Sequence, residues 1–416
     1  MRSWIALYYD EPISLVRGEG RRVWDSDGNE YLDFFGGILT TISGHNVPEI
    51  VEAVREQAGR ILHTSTLYLI EPAVRLAERI AELSPVPNPK VFFCSSGSEA
   101  NETALLLAAT ARRSNQVLAL RNSYHGRSFA TVAVTGNRGW SPSSFSPLSV
   151  GYVHGGYRYR SPFRHLSDRD FIAACADDLR NVIETTTSGS IACMIAEPIQ
   201  GVGGFATPPD GFFRAMKDVL DEYGILFISD EVQTGWGRTG EHMWGIEAHD
   251  VVPDAITFAK GIGNGLAMGG VVARAELMDS IEANSISTFG GNPIASVGAL
   301  ANLEYLLEHD LQTNARKLGE HLIRRLRELA EVHSFVGEVR GKGLMIGVEL
   351  VGPDDAPDAA VAASLMEECK RHGLLVGKGG LYGNVLRIAP PMSLTLEEAD
   401  EAIRILSIAF ESQGAR

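Results

Sequence analysis

The spacing of apolar residues changes character along the chain. In residues 48–60, Ile50, Val51, Val54 and Ala58 recur at helical spacing, and a second such segment covers 72–83. Between residue 90 and about 275 the pattern becomes short, nearly all-apolar runs separated by helical stretches at 98–113 and 211–223. The runs are VFFCS (91–95), QVLAL (116–120), IACMIAEP (191–198), ILFISDEV (225–232), AITFAK (255–260) and MGGVVA (268–273). Strands buried on both faces read this way, so the alternation predicts an α/β fold with a largely parallel sheet and helices on both sides. After about residue 293 an amphipathic stretch (295–307, then 311–330) leads into short strands within VGEVRGKGLMIGVEL and GNVLRIAP, with helices at 359–372 and 396–410. That α+β texture predicts a second, smaller domain. The opening residues, through GRRVWDSDGNEYLDFFGG, read as short strands and turns around Asp27-Gly28. The expected division is therefore a segment 1–50 joining the small domain, a large domain 51–295 and a small domain 296–416. Residues 137–170, rich in Gly, Ser, Pro, Tyr and Arg, predict a long ordered excursion.

Composition narrows the class without naming a function. The 416 residues are 44% hydrophobic and 21% charged, with 37 Lys+Arg against 52 Asp+Glu for a net charge of −15. That balance argues against a disordered chain and against nonspecific binding to nucleic acid or an anionic membrane, while leaving room for a local basic pocket. Cys94, Cys175, Cys193 and Cys369 are too sparse for a disulfide scaffold and form no C-x-x-C pair, so free thiols are expected. The apolar run at 4–9 stops at Asp10 without a cleavage pattern, and no stretch approaches a membrane span. A soluble, cytoplasmic protein is the expectation.

In open parallel sheets ligands bind beyond the carboxyl ends of the strands. Here those ends carry Ser95-Ser96-Gly97-Ser98, Glu197, Asp230-Glu231 and Lys260. In CSSGSEANE a strand runs through a glycine into a helix whose first turn offers free N–H groups, a phosphate site in principle; a plain Ser N-cap accounts for the same residues. Asp230 closes ILFISD, where an ionised acid wants a cationic partner such as a protonated ring nitrogen, although an Asp capping a loop amide would look the same. Lys260 closes AITFAK ahead of GIGNG, where partial desolvation makes an amine nucleophilic; a surface lysine is the alternative. Taken together, a phosphate cradle, a buried acid and a lysine thirty residues later are what pyridoxal phosphate requires.

At this point the sequence resembles the class III aminotransferases, the fold-type I pyridoxal-phosphate branch that contains the 4-aminobutyrate, ornithine and alanine–glyoxylate enzymes. The likeness runs nearly end to end, through YLDFFGG, SGHNVPEIVEAV, SSGSEANE, SYHGR, EPIQG, SDEVQTGWGRTG, FAKGIGNG, STFGGNP, GKGLMIGVEL and LRIAPP. It implies a seven-stranded, mostly parallel sheet. Lys260 would form the Schiff base and move the Cα proton, and Asp230 would keep the ring nitrogen protonated. Gly97 and Ser98 would bind the phosphate. Tyr124 and Val232 would flank the ring, Gln233 would lie near its hydroxyl, and Glu197 would orient groups on the substrate side. Thr288 would reach the cofactor of a partner subunit, so a homodimer is implied. Without the resemblance, Tyr124 and Val232 read as core residues, and Gln233 and Thr288 as turn residues.

Two arginines bear on the substrates. By the same likeness Arg127 in SYHGR would bind a substrate carboxylate, and Arg387 in VLRIAPP the α-carboxylate of a 2-oxo acid; a guanidinium fork suits both. One departure stands out: where related enzymes read EPIQGE, with a glutamate that covers the second arginine in one half-reaction, this chain has EPIQGV, and Val202 cannot form that ion pair. EPIQGV, the DFF-GI start and FAKGIGNG look most like the alanine–glyoxylate group. The expected reaction is ping-pong transfer from alanine or an ω-amino acid (β-alanine, 4-aminobutyrate) to glyoxylate, pyruvate or 2-oxoglutarate. A class III lyase or aminomutase is the alternative within the family, and a binding protein that has lost catalysis the alternative outside it. Dinucleotide and P-loop fingerprints are absent, as is H-E-x-x-H, and the histidines lack metal-ligand spacing. His45, His63 and His125 read as structural, with His125 placed near the cofactor by its neighbour Tyr124.

Overall fold

The computed structural model describes residues 7–414; the first three residues of the apolar run at 4–9 lie outside them. A central sheet of seven strands runs in spatial order Pro89–Cys94, Gly269–Arg274, Ala255–Phe258, Leu226–Asp230, Cys193–Ala196, Gln116–Leu120 and Ser149–Val153. The last five pair in parallel, whereas Gly269–Arg274 is antiparallel to both its neighbours. Four of the parallel strands are buried along nearly their whole length, so their polar ends stand out. The helix Gly97–Arg112 lies against the sheet through Ala100, Ala104, Leu105 and Ala108. Small side chains on that face let its first turn sit close to the strand ends.

Two four-stranded sheets complete the fold. One joins Leu15–Glu19, Arg22–Asp25 and Glu30–Asp33 to Leu374–Leu375, so the early part of the chain is tied to the late part. The other is antiparallel, in the order Val336–Lys342, Met345–Leu350, Val385–Ile388 and Gly377–Gly379. In it Arg387 stands opposite Gly347 on one side and Gly377 on the other.

Two local expectations are corrected. Residues 137–170 are not one excursion: they contain the edge strand Ser149–Val153, whose Ser, Gly and Tyr content hides it from an apolar-run criterion, and they end in the helix Asp168–Thr186. That helix is capped by the Ser167 side chain accepting from the Asp170 amide. The stretch from 293 is two helices, Pro293–Glu308 and Leu311–Val332, broken at Asp310 where φ is 48°. The first is not amphipathic; it buries Ala295, Gly298, Ala299, Leu303 and Leu306 between neighbouring helices. All four cysteines are free and buried. Among the described residues no helix is long and apolar enough to cross a membrane, and no cluster of His, Cys, Asp or Glu could hold a metal ion.

Candidate active site

An open-mouthed cavity of about 320 Å³ lies at the carboxyl ends of the parallel strands. Its wall brings together Gly97, Ser98, Tyr124, Glu197, Asp230, Val232, Gln233 and Lys260, which are far apart in sequence. Ser96 is the N-cap of Gly97–Arg112, its hydroxyl accepting from the Glu99 amide at 3.3 Å, while the Glu99 carboxylate accepts from the Ser95 amide at 2.8 Å. The serine cap is therefore real, and it coexists with a helix start whose first amides have no acceptor within the helix. A Cβ at Gly97 would lie 3.0 Å from both Val232 methyls, and one at Gly126 would lie 2.5 Å from the Ser98 hydroxyl. Glycine at these positions lets the helix start approach Val232 and the Gly126 backbone approach Ser98.

Asp230 ends its strand only 3% exposed. One carboxylate oxygen accepts from Asn101 Nδ2 and from His125 Nδ1, each at 2.7 Å; the other accepts from the Val232 amide at 3.1 Å. Asn101 is itself fixed by the Thr257 hydroxyl, which donates to its Oδ1 at 2.6 Å. With the His125 proton assigned to Nδ1, its buried Nε2 has no partner. Lys260 follows Phe258 and Ala259 and opens the 3₁₀ turn Lys260–Gly263 with φ of 46°, a left-handed conformation unusual for a lysine. Burial pushes its ammonium pKa down to about 8, against the opposing attraction of Asp230 and Glu197.

Glu197 joins two loops, accepting from the Tyr124 amide at 2.9 Å and the Gly201 amide at 2.8 Å; burial raises its pKa to about 7. The Tyr124 ring packs edge-on against Trp140 at 5.5 Å. Glu231 faces away from the cavity and accepts from Ser229, Thr234 and the Gly245 and Ile246 amides, pinning the loop that follows Asp230. Gln233 Oε1 accepts from Arg387 Nη2 at 2.8 Å. Arg387 is 2% exposed and meets the cavity from behind Gln233. Arg127 is exposed at the rim, its amide donating to the Ser98 hydroxyl at 3.1 Å. Thr288 is not on this chain's cavity: it is exposed beside Ser287, which donates to Glu99 at 2.7 Å.

Asn101 escaped the sequence reading because it looks like an ordinary helix position; a buried Asn among alanines was its one signal. His125 is bonded, as a structural histidine would be, but to the Asp230 carboxylate and on the cavity wall. His45 bonds Asp33 at 2.9 Å, and His63 packs on Phe289.

The groups present fit pyridoxal phosphate. Unfilled helix amides beside two glycines suit a phosphate. A carboxylate oriented by three donors, and still facing the cavity, suits a ring N–H. A desolvated amine opening on the same space suits an aldehyde.

Comparison with known proteins agrees. A model of the family described as aminotransferase class-III matches residues 6–410. Alanine–glyoxylate aminotransferase 2 homolog 2, mitochondrial, of Arabidopsis thaliana is 40% identical over 405 residues, covering 97% of this chain and 83% of its own. An alanine/serine racemase of Pyrococcus horikoshii is 36% identical over 412 residues, covering 96% and 86%. Among solved structures, an (S)-enantioselective omega-transaminase from Thermomicrobium roseum superposes with a TM-score of 0.90 at 36% identity, covering 97% of this chain and 93% of that one. A PLP-bound amine transaminase from an uncultivated Pseudomonas species gives 0.92 at 32%, covering 99% and 97%. The chain belongs to the class-III aminotransferases, pyridoxal-phosphate enzymes of fold type I.

Proposed function

We propose that this enzyme moves an amino group from alanine or an ω-amino acid such as β-alanine or 4-aminobutyrate to a small 2-oxo acid (glyoxylate, pyruvate or 2-oxoglutarate) in two half-reactions. The observation that carries this reading is Arg387: a buried guanidinium behind the Lys260 cavity, hydrogen-bonded to a neutral amide, with Val202 buried where an acid would cover it. Such a group receives a carboxylate. Likeness to enzymes described as alanine–glyoxylate aminotransferases supports alanine and glyoxylate among these.

The coenzyme would supply an aldehyde carbon and a cationic ring able to accept the electron pair released at the substrate Cα. Lys260 would hold that aldehyde through its amine and, once displaced by the donor amine, would carry the proton on Nζ between the substrate Cα and the coenzyme's former aldehyde carbon. Asp230, oriented by Asn101 and His125, would keep the proton on the ring nitrogen. The Gly97 and Ser98 amides would hold the phosphate, Tyr124 and Val232 would confine the ring, and Glu197 would keep the Tyr124 and Gly201 loops in register. Arg127, at the rim, would meet a distal carboxylate.

A homodimer belongs to the proposal. Leu67, Tyr68, Leu69, Ile286 and Phe289 are 75%, 71%, 95%, 57% and 62% exposed around Thr288, an apolar face that suits a second copy. Cytoplasmic residence is also proposed; the Arabidopsis and human relatives are described as mitochondrial.

Borohydride reduction of the holoenzyme followed by peptide mass spectrometry is expected to place the pyridoxyl group on Lys260. A donor-by-acceptor panel is expected to yield new amino acid only when an oxo acid is present. Product formed without acceptor, by elimination or amino migration, or racemised alanine in place of transfer, would overturn the assignment.

A further inference from the structure

We propose that Phe35 and Phe205 are specificity-determining residues: their rings, both within cation–π distance, hold the Arg387 guanidinium as a standing receptor for a substrate carboxylate, with the Gln233 amide as the partner that carboxylate displaces. The inference rests on the amino-transfer reading and adds to it how the arginine is kept ready without an acid.

The guanidinium carbon lies 4.5 Å from the Phe205 ring centroid and 5.1 Å from that of Phe35, both within cation–π range. The in-plane edge is lightly used: Nη2 donates to Gln233, and Nε is buried without a partner. Tyr8 is a further hydrogen-bonding neighbour of the group, its hydroxyl also donating to the Lys378 carbonyl at 3.2 Å, and Glu197 acts on the group electrostatically. Faces and edges serve different ligands. A ring occupies a face and leaves the N–H fork free, whereas a carboxylate needs the fork. An acidic cover would have to be broken, at the cost of a charge-assisted bond, each time a substrate carboxylate arrived. A neutral amide brings no opposing charge and so competes less than an acid would, and the rings remain in place throughout.

Both rings are put there by unusual backbone. Phe205 is fully buried with φ of 52°, in the left-handed region that a bulky residue avoids. What holds it is Arg340, whose Nε and Nη2 donate to the Gly204 carbonyl at 3.1 and 2.8 Å. Arg340 is in turn fixed by the buried Glu349 at 2.9 Å and by Glu338 at 2.6 Å. Phe35 is set by Asp33, which accepts from the amides of Phe35 and Gly36 at 3.0 and 2.9 Å. Four consecutive left-handed residues then turn the chain away, Gly36 to Leu39, with φ between 54° and 66°. Gly377 completes the seat, since a Cβ there would lie 2.1 Å from the Phe35 ring. So much local strain around one arginine marks a placed group rather than a packed one.

The test uses holoenzyme of Phe205→Leu and Phe35→Leu, which keep apolar bulk and remove the ring faces. Calorimetric titration with propionate reads the receptor without turnover; KM and kcat for the 2-oxo acid follow. In each variant propionate affinity is expected to fall, and KM to rise, about fivefold to tenfold, with the loss in KM rather than kcat. Wild-type propionate affinity in both variants, or a loss confined to kcat, would overturn the proposal. If Phe205→Leu does not fold, Phe35→Leu decides by the same readings. Weakened propionate binding in the variants supports the clamp even where the wild-type enzyme transfers no amino group, a result that would remove the amino-transfer reading alone.

Discussion

Lys260→Met isolates the energetic cost of placing an amine in this cavity. Burial moves the Lys260 pKa from 10.5 to about 8, and at roughly 1.4 kcal/mol per pKa unit the folded, coenzyme-free chain is destabilised by about 3 kcal/mol when the amine is charged. Because the amine opens on a water-accessible cavity, about 2 kcal/mol is the figure to expect. The direction with pH follows from the lowered pKa. Below pH 8 the amine is protonated in both folded and unfolded chains and the penalty is complete. Between 8 and 10.5 the folded chain releases its proton first, and the penalty fades as pH rises. Methionine keeps the length and removes the charge, while Asp230 keeps its bonds to Asn101, His125 and the Val232 amide. Urea unfolding of coenzyme-free protein should therefore find the variant inactive yet about 2 kcal/mol more stable at pH 7, the gap closing toward pH 10.5. Equal stabilities at pH 7, or a gap that does not narrow, would refute the reasoning.

Other perturbations probe separate parts of the site. Val202→Glu places an acid where Arg387 has none, and half-reaction assays should show α-amino donors losing about tenfold more than ω-amino donors; unchanged donor ratios would count against gating by this position. Asn101→Leu removes one of the two donors on the inner Asp230 oxygen, and absorbance titration should give about tenfold weaker coenzyme binding, an unaltered constant being the contrary result. In hybrid dimers of Lys260→Ala and Thr288→Ala subunits, the one site with a lysine should bind coenzyme as tightly as wild type. Affinity matching the Thr288→Ala homodimer would mean that Thr288 acts within its own chain.

Much of the active site could be read in advance because parallel strands buried on both faces must be apolar, so that Glu197, Asp230 and Lys260 interrupt the pattern at the strand ends where ligands bind. The helix start at Gly97 was legible as a local choice written in adjacent residues, and the departure at Val202 only against the resemblance to enzymes that read EPIQGE. The edge strand Ser149–Val153 was not, since an edge strand need not be apolar on both faces. Nor were the left-handed turns at Lys260 and Phe205, which neighbouring residues do not demand and distant partners enforce. Asn101 and His125 on Asp230, Gln233 on Arg387, and the two rings about that guanidinium join segments 105 to 352 residues apart or nearly so. Sequence periodicity records which face of an element avoids water; which distant elements then meet, and at what distance, is decided only when the sheets and helices pack.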